Sequence, residues 1–148
     1  GSLNPSEITD EILKYLQKSK KFCPHFHLSL QSACDKTLKS MNRFYKVKEY
    51  LAQIDRINSM FELPFLGSDI IAGFAGETEE DFQDSYDFVE SIHFYETHIF
   101  KYSRRHGTKA AAMSGQLTEA QKAVRSDKML ALMNSMRKNM KNPCSAVN

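Results

Sequence analysis

Apolar positions along this chain recur with two different periods. Ile8, Ile12, Leu13 and Leu16 fall on one helical stripe. Asn4 is placed to cap that helix, with Pro5 at its first position and Glu7 at its third. Pro24 bars any continuation. Phe26-His27-Leu28-Ser29-Leu30-Gln31 is short and alternating, which predicts a strand. After a polar break over 32–35, Leu38 and Met41 suggest a short helical turn. Val47, Tyr50, Leu51, Ile54 and Ile57 mark a second amphipathic helix.

The stretch 65–74 is apolar on both faces, through Leu66, Ile70, Ile71 and Ala72, as suits a buried parallel strand. Gly73-Phe74-Ala75-Gly76 breaks it. Thr78 and Asp81 then open a helix carrying Phe82, Tyr86 and Val89. His98-Ile99-Phe100-Lys101-Tyr102 reads as a third strand, followed by a loop over 104–107. Thr118-Glu119-Ala120-Gln121 is a capping box for a long last helix, with Val124, Leu130, Met133 and Met140 expected along its apolar side. Residues 142–148 read as a frayed tail.

A helix followed by three strand–helix units predicts an α/β fold with three parallel strands and crossover helices. Three strands cannot close an eight-stranded barrel, so the chain is either a small open sheet or part of a larger barrel.

Composition narrows this picture only modestly. The 148 residues suffice for one domain with a real core, and 41% hydrophobic with 26% charged residues is ordinary for a globular chain. A net charge of +2 leaves nucleic-acid binding open, since a basic face can hide in a near-neutral total. No apolar run approaches the roughly 20 residues that cross a bilayer, and no signal pattern opens the chain. Gly1-Ser2 reads as a cloning scar, and the abrupt start in helix-forming sequence suggests an excised piece. Three widely spaced cysteines, Cys23, Cys34 and Cys144, point to a reduced cytoplasmic protein. None forms the close spacing of a zinc or iron–sulfur motif, so no metal is expected on this chain's own cysteines.

Ligands of parallel α/β folds sit where strands end. Three loops qualify, over 31–35, 73–78 and 102–108. The Gly73 loop allows close backbone approach to a ligand and precedes free helix amides; it is equally a plain turn with a cap. Glu77 suits a ribose hydroxyl or an amine, or simply the helix dipole. Lys101, Arg104, Arg105 and Lys109 cluster around Tyr102, either as a nucleic-acid or carboxylate contact or as a solvated loop. His25 and His27 face the same side of a strand without an evident third ligand, while His93 and His98 read as structural or exposed. Cys34 reads as a small buried residue. Met129, Met133, Met136 and Met140 suit a helix core.

Together the loops resemble one family. The segments are His27 to Ser32 with Asp35-Lys36, Leu38 and Met41-Asn42-Arg43; Asp69-Ile70-Ile71-Ala72-Gly73-Phe74-Ala75-Gly76-Glu77-Thr78-Glu79-Glu80-Asp81-Phe82; and Phe100 to Ala111. In order and spacing they resemble the later barrel segments of radical-SAM methylthiotransferases, over about residues 4–140. The third segment leans towards the branch acting on threonylcarbamoyladenosine at tRNA position 37. Ala33-Cys34 stands where that family has Gly-Ser, and Ala75 where it has Pro.

The resemblance implies the C-terminal half of a (β/α) TIM-type radical-SAM barrel. Its full-length parent would use S-adenosylmethionine and 4Fe–4S clusters to install a methylthio group at adenine C2 of tRNA, by hydrogen abstraction with a 5′-deoxyadenosyl radical. By motif position, Ser29, Gln31, Gly73, Phe74, Glu77, Tyr102, Ser103 and Arg105 would face S-adenosylmethionine, with Arg43 a further candidate for its carboxylate. The cluster-binding cysteine segment, an N-terminal domain and an RNA-binding domain are expected in the parent and are not in these residues. The isolated piece is therefore expected to be inactive. Another radical-SAM enzyme, or a non-catalytic scaffold with a degenerate barrel, are the alternatives. An open barrel edge would favour a homo-oligomer.

Overall fold

The computed structural model describes residues 2–140, and the tail expected at 142–148 lies outside the described residues. Strands β1 (His25–His27), β2 (Phe65–Ala72) and β3 (Glu96–Lys101) form one parallel sheet in the order β1-β2-β3. Helices α2 (Asp35–Ser40) and α3 (Val47–Met60) carry the chain from β1 to β2, and α4 (Glu79–Ile92) from β2 to β3. Helix α1 (Asp10–Lys18) precedes the sheet; α5 (Lys109–Ala112) and α6 (Glu119–Lys138) follow it. Parallel neighbours need such crossovers, because a tight turn joins only antiparallel strands.

The two faces of the sheet differ. Phe26, Leu28, Leu30, Leu66 and Ile70 pack into one core with Leu13 of α1, Tyr50, Ile54 and Ile57 of α3, Phe82 and Val89 of α4, and Met129, Leu132, Met133 and Met136 of α6. Each such side chain taken from water contributes about 1.5–3 kcal/mol. The opposite face is open and largely polar: His27, Ser29, Gln31, Asp69 and Ile71 are partly covered, and His98 and Phe100 are exposed. Helices on one side only make an arc of β/α barrel wall, since a doubly wound sheet would be covered on both.

The first predicted helix divides in two. Asn4 and Glu7 do form a capping box, with Glu7 Oε2 accepting the Asn4 N–H at 2.8 Å and Asn4 Oδ1 the Ser6 N–H at 3.1 Å. It closes only a single 3-10 turn, Pro5–Glu7. Ile8 is extended so that it can enter the core, and Thr9 restarts the helix by accepting the Ile12 N–H at 3.3 Å. Ile12 is left exposed.

The predicted strand over 26–31 is regular only as far as His27. The Leu28 N–H still donates to the Gly67 carbonyl at 2.9 Å, and beyond it hydroxyl groups supplement the ladder. Tyr50 donates to the Leu28 carbonyl at 2.8 Å, Tyr45 to the Ser29 and Leu30 carbonyls at 2.9 Å, and Ser68 accepts the Leu30 N–H at 3.2 Å. Pairing resumes at Gln31, which bridges to Ile70 with φ 70°.

Helix α6 is capped at Thr118 as expected and buries the expected Met129, Met133 and Met136, but two of its expected apolar positions face out. Val124 and Leu130 are exposed, while Lys122, Arg125, Ser126, Met129, Leu132, Met133 and Met136 are buried. Two cations belong to the inward face, and an apolar-only reading set them outside.

Candidate functional site

The sheet delivers all three strand-end loops to one rim. The loop after β2 turns at Gly73, whose φ of 78° suits glycine. Its N–H donates to Glu77 Oε1 at 3.0 Å, folding the loop onto its own carboxylate. A Cβ at Gly73 would lie 2.6 Å from Lys122 Cγ, so helix α6 can seat there only against a glycine. Arg125 Nη1 then donates to the Glu77 carbonyl at 2.9 Å and to its carboxylate at 2.7 Å. Burial pushes the Glu77 carboxyl up, and this outweighs the Arg125 and Gly73 hydrogen bonds that pull it down.

The loop after β1 is tethered to the start of α4. The Ala33 N–H donates to Ser85 Oγ at 2.9 Å, and Cys34 Sγ donates to Asp81 Oδ1 at 3.3 Å. Cys34 is half-buried rather than buried. Asp81 also accepts the Thr78 N–H at 2.8 Å and pairs with Lys36 at 2.6 Å. Burial would push the Asp81 carboxyl up, but Lys36, Thr78 and Cys34 together bring it down to about 2.

The loop after β3 begins with Tyr102, whose N–H donates to the Ala72 carbonyl at 2.9 Å. Its ring meets the edge of Phe74 at 4.9 Å between centroids, and Lys122 Nζ sits 5.3 Å from its centre. Helix α5 escaped sequence reading because it is four residues long; its signal is Thr108, whose hydroxyl accepts the Ala111 N–H at 3.2 Å. Arg104 folds back to donate from Nε to the Ala111 carbonyl at 2.9 Å, and Arg105 is the arginine of the pair that lines the rim depression.

Of the residues singled out in the sequence, Gln31, Tyr102, Ser103 and Arg105 line one depression, floored by Ile71 and Phe100. Ser29 and Arg43 line an adjoining depression with Tyr45, and Gln31 is common to both. Gly73, Phe74 and Glu77 are buried behind the rim and brace it. Lys122 and Arg125 were missed; their only signal was a pair of cations sharing a helix side with Met129. Deeper on the open face, His27, Asp69 and His98 meet, a group visible only once the strands are in register.

The rim groups have the chemistry an amino-acid ligand needs: the Arg105 guanidinium and Gln31 amide can donate to a carboxylate, Asp69 and the Ser103 hydroxyl can accept from an amine, and the Phe100 ring lies beside them.

Known proteins share both sequence and fold. The family described as the Radical SAM superfamily matches residues 1–89. The chain is 40% identical over 127 residues to threonylcarbamoyladenosine tRNA methylthiotransferase MtaB of Thermotoga maritima, covering 86% of this chain and 29% of that one. It is 40% identical over 131 residues to tRNA-2-methylthio-N(6)-dimethylallyladenosine synthase of Rhodococcus jostii, covering 88% and 26%. The synthase of that name from Fusobacterium nucleatum is 41% identical over 133 residues, covering 90% and 31%. The chain thus spans less than a third of the length of these curated relatives. Among solved structures, Escherichia coli coproporphyrinogen III oxidase (HemN), a radical SAM enzyme, superimposes with a TM-score of 0.74 at 16% identity, over 91% of this chain and 31% of that one. The one-sided parallel wall and the matched sequence agree, and the chain belongs to the radical SAM superfamily.

Proposed function

We propose that this chain is the later part of the barrel of a tRNA methylthiotransferase that acts on threonylcarbamoyladenosine at position 37. Identity of about 40% to curated tRNA methylthiotransferases over nearly nine-tenths of the chain carries the methylthiotransferase reading, and the wording of the segment Phe100 to Ala111 favours the threonylcarbamoyladenosine branch. In the whole protein, bound S-adenosylmethionine and 4Fe–4S clusters supply a hydrogen-abstracting radical, a sulfur atom and a methyl group. The chain's own share is binding and orientation. Gln31, Ser103 and Arg105 hold the amino-acid portion of S-adenosylmethionine, with Ser29 and Arg43 adjoining and Tyr102 closing the wall. Gly73, Phe74 and Glu77 keep the loop after β2 in place, with Arg125 behind them.

The test is anaerobic incubation of the full-length, cluster-reconstituted protein with S-adenosylmethionine, a reductant and tRNA, followed by mass spectrometry of the nucleosides. A methylthio gain on threonylcarbamoyladenosine is the expected result. A gain on dimethylallyladenosine instead would move the protein to the branch named by the Rhodococcus and Fusobacterium relatives. Deoxyadenosine without either product would keep the radical chemistry and discard the substrate, and neither would favour the scaffold reading.

Two further expectations belong to this reading. The protein works in the cytoplasm, where tRNA is modified; among the described residues no helix is long and apolar enough to cross a membrane. Copies of the isolated chain pair through the outer edge of β3, which has no neighbouring strand among the described residues. A monodisperse monomer in light scattering would sink that pairing.

A further inference from the structure

Below the rim, on the open face of the sheet, lies a depression lined by Ser2, His25, His27, Asp69, Glu96 and His98. Its centre is Asp69. Across β3 the direct partner of Asp69 is His98, and His98 Nδ1 stands 3.4 Å from Asp69 Oδ1. From β1, His27 reaches diagonally over Gly67 to bring Nε2 within 3.0 Å of the same oxygen. A Cβ at Gly67 would fall 2.8 Å from His27 Nδ1, so this reach requires glycine in the middle strand. One ligating atom from each of the three residues lies within 4.8 Å of the others.

The two separations from Asp69 match those in a coordination sphere. With metal–ligand bonds of about 2.1 Å, neighbouring donors stand about 3.0 Å apart in an octahedral site and about 3.4 Å in a tetrahedral one. One of the three also has an outer hydrogen-bond partner, and an acidic neighbour stands behind another. Asp69 Oδ2, the oxygen facing away from His27, accepts the Ser29 hydroxyl at 2.9 Å. Glu96 Oε1 stands 3.6 Å from His98 Nε2, on the far side of that ring.

We propose that His27, Asp69 and His98 bind one divalent transition-metal ion of the zinc, cobalt or ferrous class. Two imidazoles and one carboxylate suit such ions better than magnesium or calcium, which take oxygen ligands, and the absence of thiolate among the three sets the site apart from an iron–sulfur centre. Asp69 lies four residues before Gly73, about 13 Å down the strand; it also borders the rim depression, so the site adjoins the rim, with His27 and His98 on the side away from it. An ion here would clamp all three strands together.

The test uses the complete 148-residue chain, stripped with a chelator, and calorimetric titration with zinc chloride and cobalt chloride near neutral pH. One equivalent is expected to bind with micromolar or tighter affinity, and cobalt to give a visible ligand-field band. His98→Ala is the informative variant: its side chain is 50% exposed, so the fold does not depend on it. It should weaken binding about tenfold or more, and so should Asp69→Asn. Gly67→Ala should do likewise by displacing His27, while His106→Ala at the rim should leave binding unchanged; circular dichroism checks that each variant is folded. No saturable binding, or binding untouched in folded His98→Ala and Asp69→Asn, would overturn the proposal. The readout involves neither S-adenosylmethionine nor tRNA, so it stands or falls independently of the proposed activity.

Discussion

One oxygen of Glu77 accepts hydrogen bonds from both Gly73 N–H, at 3.0 Å, and Arg125 Nη1, at 2.7 Å, joining the loop after β2 to the last helix. Both side chains of the ion pair are more than nine-tenths buried. Removing one partner strands the other charge out of water, which costs about 3–5 kcal/mol. Arg125→Met is therefore expected to lower unfolding free energy by that amount in urea titration. Glu77→Gln retains an acceptor for Gly73 and should cost less. A loss below about 1 kcal/mol in the arginine variant would show that the pair does not hold the loop.

Asp81 gives the chain a specific acid sensitivity. Its carboxyl is lowered from 3.8 to about 2 in the folded state. A depressed acid stabilises the fold when ionised, so its contribution is complete above about pH 4 and fades as pH falls towards 2. The melting temperature should drop across that window, and Asp81→Asn should flatten part of the drop while lowering stability at neutral pH. An unchanged acid profile in that variant would refute the assignment.

The phase of α6 can be checked by truncation. Met129 is fully buried, and Met129→Ala should cost about 2–5 kcal/mol in chemical denaturation. Val124 and Leu130 are exposed, and Val124→Ala and Leu130→Ala should stay within about 0.5 kcal/mol. The reverse ranking would place Val124 and Leu130 on the inward face instead.

Gly73 and Gly76 have nearly the same backbone, with φ of 78° and 79°, but different surroundings. Nothing lies within 4 Å of a Cβ at Gly76, so Gly76→Ala bears only the left-handed backbone penalty, about 1–2 kcal/mol. Gly73→Ala must also displace Lys122 and should cost clearly more, with loss of the Lys122–Tyr102 contact visible as altered tyrosine fluorescence.

Much of the architecture could be read from the chain because local signals agreed with the fold. Thr78 and Thr118 cap the helices they were expected to cap, and the two-sided apolar run over 65–72 is the central strand. The rim was legible through its motif-bearing loops. What escaped depends on placement across the chain. Lys122 and Arg125 look like surface cations until Glu77 and Tyr102 are set against them. His98 looked exposed, and half of its side chain is, but its relation to Asp69 arises only from strand register. Ile8 read as helical but is extended, because its core contact outweighs the local preference that the sequence does express.

The alternation along β2 separates two kinds of change. Leu66, Ser68, Ile70 and Ala72 answer to the helices behind them, whereas Phe65, Asp69 and Ile71 answer to whatever enters from the front. A guest preference could be rewritten at the latter three positions, singly or together, while the former four keep the strand folded. The same wall could thus serve unlike chemistries without renegotiating its own stability each time.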